Sequence, residues 1–169
     1  MAQRLTQSRR MVRSVSAALA SGAAFGMIFV SASPASAGVL DGLDGSWAGG
    51  GSVTFDGGAK EKLRCNGYYK SGGEDLSMAI KCASASGAKI ELRGTMKNAG
   101  GKVSGDWEER TYNAGGAITG SAGDGSLKVG ISGTISGTMS VSFSKSSQTV
   151  AIATTGSTLR NDNISFNRN

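Results

Sequence analysis

The sequence contains no histidine, two cysteines, a single proline and few aromatic residues, which make up 6% of the chain. Without histidine the chain lacks the usual general base of acid–base catalysis and of a Ser-His-Asp triad. It also lacks a nucleophile elbow, a phosphate-binding loop and a dinucleotide fingerprint. Glu108 and Glu109 are adjacent on a predicted strand, so they point to opposite faces and cannot flank one glycosidic bond. We therefore expect no enzymatic activity.

Ligands for metals and nucleic acids are equally scarce. Two cysteines without a C-x-x-C spacing give little support for a metal site, and we expect neither a metal nor another cofactor. The chain carries a net charge of +6, but four arginines and no acidic residue lie in residues 1–37, which leaves +2 for the remainder. The remaining lysines and arginines are scattered, whereas nucleic-acid binding needs a concentrated basic surface. We expect no nucleic-acid partner, and the sequence predicts no particular oligomeric state.

Residues 1–37 have the three parts of a cleaved signal peptide. A basic region with Arg4, Arg9, Arg10 and Arg13 precedes an apolar stretch, and Ala35-Ser36-Ala37 forms an A-x-A cleavage site. A membrane anchor would need a longer apolar run without this small-residue exit. We therefore predict a signal peptide over 1–37, an N-terminal arm over 38–45 and one domain over 46–169, in a periplasmic or secreted protein.

The stretch from Lys60 to Ser84 predicts a β-hairpin that contains both cysteines. Its Gly72-Gly73-Glu74-Asp75 tract is a turn signal between two segments of alternating polarity. Folding about that turn sets Cys65 opposite Cys82, and behind an export signal a disulfide between them is the expected state. Free or metal-bound thiols are the alternative. The same register pairs Leu63 with Ser84, Gly67 with Ile80, and Tyr69 with Met78.

Similar alternation continues to the end of the chain and predicts further hairpins. The route from Phe55 to Leu63 needs a bulge or a longer loop, a three-residue loop is expected around Gly137, and a bulge near 161–163. The predicted turns are Asn98–Gly101, Asn113–Gly116, Gly123–Ser126 and Lys145–Gln148. They pair Met96 with Val103, Leu92 with Trp107, Ile90 with Glu109, Thr111 with Ile118, Glu109 with Gly120, Ala122 with Leu127, Gly120 with Val129, Ile118 with Ile131, Phe143 with Val150, and Val141 with Ile152.

Together these patterns predict an all-β fold. The mature chain has no sustained helical period, and its glycines would destabilise helices. We predict an antiparallel up-and-down β-barrel of about 8–10 short strands, because closure removes the two exposed sheet edges. A two-sheet sandwich is the structural alternative. An outer-membrane barrel would need a lipid-facing apolar band and aromatic girdles, which the polar outer face does not supply, so the domain is not expected to be membrane-embedded.

The inward face predicted by this alternation mixes large apolar residues with glycine. Inward glycines relieve crowding where strands bend, or they leave room for a ligand. Glu109 is the one acidic residue assigned to this face, either at a wet barrel mouth or bonded to the polar end of a ligand. The inward set is Trp47, Phe55, Leu63, Tyr69, Met78, Ile80, Leu92, Met96, Trp107, Ile131, Met139, Val141, Phe143 and Ile152, with Gly49, Gly51, Gly67, Gly94, Gly105, Gly120 and Gly133.

The first predicted strand opens with Gly45-Ser46-Trp47, which resembles the G-x-W start of the calycins, the lipocalin and avidin-like barrels. In those families the Trp closes one end of the barrel. The avidin pattern's Asn after this Trp is absent here. Arg160 is the residue that the lipocalin resemblance places against Trp47. A G-x-W start followed by a disulfide also resembles small periplasmic inhibitors of secreted metalloproteases.

Two functions follow from this reading. The first is an exported, non-enzymatic barrel that binds a small apolar or amphipathic molecule in its mouth, with Trp47, Tyr69, Trp107 and Glu109 as candidate contacts. The second is a protein-interaction module, such as a periplasmic protease inhibitor or an envelope structural factor, in which the barrel is solid and the 38–45 arm or the loops contact a partner.

Overall fold

A computed structural model describes residues 38–169, which form ten antiparallel strands closed into one up-and-down barrel. This confirms the predicted fold class, with a strand number at the top of the predicted range. The predicted signal peptide lies outside the described residues. A short 3-10 helix, Asp41–Leu43, precedes the strands. These are β1 (Gly45–Phe55), β2 (Lys60–Gly72), β3 (Asp75–Ser84), β4 (Lys89–Ala99), β5 (Lys102–Glu109), β6 (Ala114–Gly123), β7 (Ser126–Gly133), β8 (Ser136–Phe143), β9 (Ser147–Thr155) and β10 (Leu159–Arg168).

Pairing of the first strand with the last closes the barrel. Strand β1 runs antiparallel to both β2 and β10, and Gly51 lies opposite Leu63 on one side and Ile164 on the other. Every strand therefore has two hydrogen-bonded neighbours, and no edge is left to pair with another chain. Side chains alternate along each strand between a buried interior and an exposed outer wall, as in β2, where Leu63, Cys65, Gly67 and Tyr69 are buried. No helix in residues 38–169 is long and apolar enough to span a membrane.

The hairpin of β2 and β3 has the predicted register. Cys65 lies opposite Cys82, Gly67 opposite Ile80, and Tyr69 opposite Met78. The two cysteines form a disulfide inside the barrel. The turn consists of Gly73 and Glu74, and its short length fixes which residues face each other.

Two later hairpins keep the predicted inward face but shift their partners by two residues. Met96 lies opposite Gly105 rather than Val103, because the turn after β4 uses only Gly100 and Gly101, both with positive φ. Val141 lies opposite Val150 rather than Ile152, because β9 begins earlier than predicted. A shift of two preserves side-chain parity, so the predicted interior survives both errors. Trp107 and Glu109 consequently lie opposite Gly94 and Leu92, not Leu92 and Ile90, and Phe143 lies opposite Gln148, not Val150.

Three other predicted connections have mixed outcomes. The β5–β6 prediction is wrong, because the turn lies at 110–113 and Glu109 lies opposite Ala114, not Gly120. Thr111 is therefore in the turn and does not pair with Ile118. The loop predicted around Gly137 is also wrong, since that residue belongs to β8 and pairs with Ile131. The β6–β7 register is confirmed, with Ala122 opposite Leu127, Gly120 opposite Val129 and Ile118 opposite Ile131.

The irregularities where β1 ends and β10 begins are close to those expected. The backbone N–H of Phe55 donates to the carbonyl oxygen of Ala59 (2.8 Å), which closes a loop of three residues, 56–58, and Ala59 then precedes β2. In β10 the register shifts between Leu159 and Asn161, which makes Arg160 the extra residue. This bulge lies one residue before the predicted range of 161–163. From Asn161 onward the strand is regular, so Asp162, Ile164 and Phe166 face inward.

The inward glycines mostly allow close approach of neighbouring strands. A Cβ atom on Gly51 would overlap the carbonyl oxygen of Asn163, and a Cβ on Gly105 would overlap that of Thr95. Gly49, Gly120 and Gly133 have the same relation to neighbouring backbone. At these positions the glycines supply strand coiling and packing, which is the first of the two roles considered for them. They do not leave room for a ligand.

Candidate functional site

One end of the barrel is plugged by the segment before β1. Leu40 and Leu43 are buried there, and the indole Nε1–H of Trp47 donates to the carbonyl oxygen of Leu43 (2.8 Å). The guanidinium of Arg168 lies 4.2 Å from the centroid of the Trp47 ring. It also donates to the carbonyl oxygens of Gly42 (2.6 Å), Asp44 and Lys145 (2.6 Å). This end, called the closed end below, is therefore closed by apolar packing and by the cation–π contact and hydrogen bonds of Arg168.

The arginine against Trp47 is Arg168, not Arg160. Arg160 lies at the opposite end of β10, where its guanidinium pairs with the carboxylate of Asp56 at 3.1 Å. The resemblance led to the wrong residue because β10 runs antiparallel to β1. The end of β10 therefore lies beside the start of β1, where Trp47 lies, and Arg160 is at the other end.

Loss of Arg168 should loosen the closed end. We expect Arg168→Met to lower the free energy of unfolding by about 1–2 kcal/mol, because three backbone carbonyls lose a charged donor and Trp47 loses its cation. Urea denaturation followed by far-UV circular dichroism measures this change. Arg160→Met is the matched control, and since its exposed ion pair contributes little, we expect a change below about 1 kcal/mol. Equal losses in the two variants would contradict this description of the closed end.

The opposite end, called the open end below, contains a small internal cavity. Its volume is about 50 Å³. This is far less than the roughly 300 Å³ of a drug-sized pocket, so the cavity holds only a small group. Its lining is largely apolar: Met78, Ile90, Leu92, Trp107, Ile118, Ile131, Ile135, Met139, Ile152 and Leu159, with the polar residues Glu109, Thr154 and Asp162.

Glu109 lies at the rim of this cavity, and its carboxylate is already bonded. One oxygen accepts from the backbone N–H of Glu91 (2.7 Å) and the other from that of Tyr112 (2.6 Å). The side chain is 7% exposed. Glu109 therefore faces inward at the barrel mouth, but it is buried and bonded to backbone, whereas the predicted mouth setting was wet. Its hydrogen bonds hold the β5–β6 turn against β4.

Asp162 is the polar residue that the sequence analysis missed. It lies on β10 between Val53 and Ile152 of the neighbouring strands, and it is 6% exposed. Its Oδ1 atom is buried without a hydrogen-bond partner. Burial raises the pKa of Asp162 to about 6, because the apolar surroundings disfavour the charged form. The available signal was its alternation with Ile164 and Phe166, which the expected phase break obscured.

The four candidate contacts occupy two different depths of the barrel. Trp107 and Glu109 both line the open-end cavity, and the Trp107 indole N–H donates to the carbonyl oxygen of Ser132 (3.1 Å). Trp47 is fully buried at the closed end, and Tyr69 lies opposite Gly45 near it. Burial raises the pKa of Tyr69, an effect that the nearby Gln148 side chain opposes. The structure therefore brings Trp107 and Glu109 to one site and leaves Trp47 and Tyr69 away from it.

A larger concavity lies on the outer wall. This outer groove, of about 610 Å³, crosses β2 to β5 between the exposed ring of Tyr68 and the acidic side chains of Asp106 and Glu108. Lys70 and Arg93 supply positive charge within it. It is open to solvent, and it shares Met78 and Trp107 with the lining of the interior cavity. Among residues 38–169, no group of three or more acidic or cysteine side chains is arranged to hold a metal ion.

Comparison with known proteins identifies the fold. No known protein family and no curated protein matches the sequence. The structure is similar to that of Rv2717c from M. tuberculosis, with a TM-score of 0.57 and 15% identity over 78% of this chain and 97% of that chain. It is also similar to the S-type phycobiliprotein lyase CPES from Guillardia theta, with a TM-score of 0.53 and 12% identity over 76% of this chain and 89% of that one. These likenesses support a shared barrel fold, and membership of the calycins stays a prediction.

Proposed function

We propose that this chain is an exported, non-enzymatic barrel that binds a small amphipathic molecule at its open end. The observation that supports this most strongly is the asymmetry of the two ends. One end is sealed by Leu40, Leu43 and Trp47, whereas the other has an apolar cavity with an unpartnered carboxylate at Asp162. Export is proposed from the signal-like residues 1–37 and the disulfide.

The cavity volume limits how such a ligand is held. About 50 Å³ does not enclose a whole drug-sized molecule, so the ligand inserts a slender group and keeps the rest at the mouth. Met78 and Met139 line the cavity, and their unbranched side chains can adapt to an inserted group. Ile135 and Leu159 lie at the mouth, where they would contact the apolar part.

Binding of 1-hexanol tests this function, since it combines a slender apolar chain with a small polar group. We expect it to shift amide signals of the open end saturably when it is titrated into ¹⁵N-labelled protein. Ile135→Trp, which fills the mouth, should weaken binding at least about tenfold. Val39→Trp, at a half-exposed position near the closed end, is the matched control and should bind as the wild type does. Unsaturable shifts, or equal binding by both variants, would contradict an open-end site.

A protein-interaction function has one observation in its favour, the outer groove with Tyr68 48% exposed. Exposed aromatic residues are frequent anchors in protein interfaces. The 38–45 arm does not offer a comparable surface, because Leu40 and Leu43 are buried in the closed end. Deleting residues 38–44 would therefore unplug the barrel instead of testing a free arm, and Tyr68→Ala is the suitable variant for this alternative.

A further inference from the structure

Asp162 is the one polar side chain lining the open-end cavity whose hydrogen-bonding capacity is unused in the described part of the chain. Both oxygens of Glu109 accept backbone N–H groups, and the hydroxyl of Thr154 donates to the carbonyl oxygen of Leu159. Oδ1 of Asp162 has no such partner. Buried carboxylates without partners are costly, and they are rare in folded proteins unless they serve a function.

The basic residues near this end lie on the outer wall, where Lys60 and Lys89 are exposed. Arg160 binds Asp56, and Arg93 and Arg110 lie against Glu91 and Glu108. Neither lysine nor arginine lines the cavity. A cation that reaches Asp162 must therefore come from outside the described chain.

We propose that Asp162 anchors the ammonium group of a small amphipathic amine at the open end, an inference that rests on the ligand-binding function proposed above. An ammonium group supplies one positive charge and three N–H donors, which match an unpartnered carboxylate. The head is small enough for a cavity of about 50 Å³. Its apolar chain lies against the isoleucine and leucine side chains of the mouth.

The surroundings of Asp162 favour an amine over the other small ligands considered. An anion would be repelled by two carboxylates in the same cavity, those of Asp162 and Glu109. An alcohol or a water molecule supplies hydrogen bonds but leaves the buried charge uncompensated. Flanking residues on β1 and β9 are Val53 and Ile152, so the neighbouring strands supply no competing cation beside Asp162.

Three probes of equal chain length separate these ligands: hexylammonium, 1-hexanol and hexanoate, each titrated into the full mature chain at pH 8 and followed by NMR. We expect hexylammonium to bind at least about tenfold more tightly than 1-hexanol, and hexanoate to bind most weakly. Hexylammonium affinity should fall when the pH is lowered to 5, because Asp162 then becomes protonated. Glu109 is the other titratable group lining the cavity, and Glu61 lies at the rim opposite Val53.

Asp162→Asn isolates the charge. We expect it to remove the preference for hexylammonium, so that hexylammonium and 1-hexanol bind with similar affinity. Asp106→Asn removes the same charge from the outer wall and should leave both affinities unchanged. If wild type binds 1-hexanol and hexylammonium equally and Asp162→Asn changes neither, the amine assignment is overturned while the proposed function stands. If none of the probes binds wild type, both are overturned.

Discussion

Replacing Gly51 with alanine should lower the free energy of unfolding by about 3–5 kcal/mol or prevent folding altogether. Gly51 lies on β1 opposite Ile164 of β10, at the seam where the first and last strands close the barrel. An added Cβ would overlap the carbonyl oxygen of Asn163. Backbone cannot move aside as a flexible side chain can, so the two strands must separate and lose ladder hydrogen bonds.

Gly130→Ala is the matched control for this substitution. Gly130 is also within a strand, but a Cβ there would lie 3.7 Å from the nearest atom, the carbonyl oxygen of Thr119. We expect an unchanged stability or a gain of up to about 1 kcal/mol, because alanine loses less backbone entropy on folding. Urea denaturation at one pH measures both variants. A Gly51→Ala protein as stable as Gly130→Ala would show that β1 and β10 do not approach as closely as described.

Asp162→Asn should stabilise the unliganded protein at neutral pH. Folding shifts the pKa of Asp162 from an ordinary value of 3.8 to about 6. At about 1.4 kcal/mol per pH unit, this corresponds to a cost of about 3 kcal/mol above pH 6. The asparagine amide is neutral but also has unmet hydrogen bonds, so we expect a net gain of about 1–3 kcal/mol at pH 7.

The pH dependence of this contribution to stability is opposite to that of a salt-bridged carboxylate, whose contribution rises with pH. Between about pH 4 and pH 6 the folded protein binds more protons at Asp162 than the unfolded chain does. The contribution of this group to stability therefore falls as the pH rises through that window. Glu61 and Glu91, whose pKa values are lowered by neighbouring hydrogen-bond donors, are common to both proteins and cancel in the comparison.

Denaturation of wild type and Asp162→Asn at pH 4, 5, 6 and 7 measures the difference. We expect the two proteins to converge near pH 4 and to separate above pH 6. A difference that is constant across this range would attribute the effect to packing and not to ionisation. Asp106→Asn, on the outer wall, should follow the wild type throughout.

Side-chain parity made the barrel predictable from the sequence. Turns of two residues, such as Asp124-Gly125, leave little freedom of register, so the β6–β7 and β2–β3 pairings were predicted correctly. A polar tract such as Asn98–Gly101 does not show which two of its residues form the turn. Asn98 and Ala99 belong to β4 although they have turn-like composition, and the partners there shifted by two. Such a shift is invisible to alternation, because both registers bury the same face.

The β5–β6 error has a different cause. Arg110 begins a turn that ends at Asn113, which adopts a positive φ of 51°. Asparagine tolerates this conformation, but the Gly115-Gly116 pair that follows is the stronger turn signal by composition. Gly116 is instead required within β6, where a Cβ would overlap the carbonyl oxygen of Ser132. The glycines needed for close approach of the strands therefore gave a false turn signal in the sequence.

The candidate site was only partly predictable for a related reason. Trp107 and Glu109 were found by parity, and they line the open-end cavity. Asp162 was missed because the bulge at Arg160 interrupts alternation two residues earlier, and the sequence does not show where parity resumes. The plug formed by Leu40 and Leu43 was also missed, since its 3-10 turn has no strand period. The setting of Asp162 and the plug both depend on contacts between β10 and the residues in or just before β1.

The carboxyl ¹³C signal of Asp162, followed from pH 3 to pH 9 with and without hexylammonium, examines the open end at the atom on which the proposals rest. We predict an apparent pKa of about 6 for the free protein and a shift toward the ordinary value of 3.8 when the ammonium group is bound. A pKa near 4 in the free protein, unmoved by hexylammonium, would contradict a buried, uncommitted carboxylate and the site built around it.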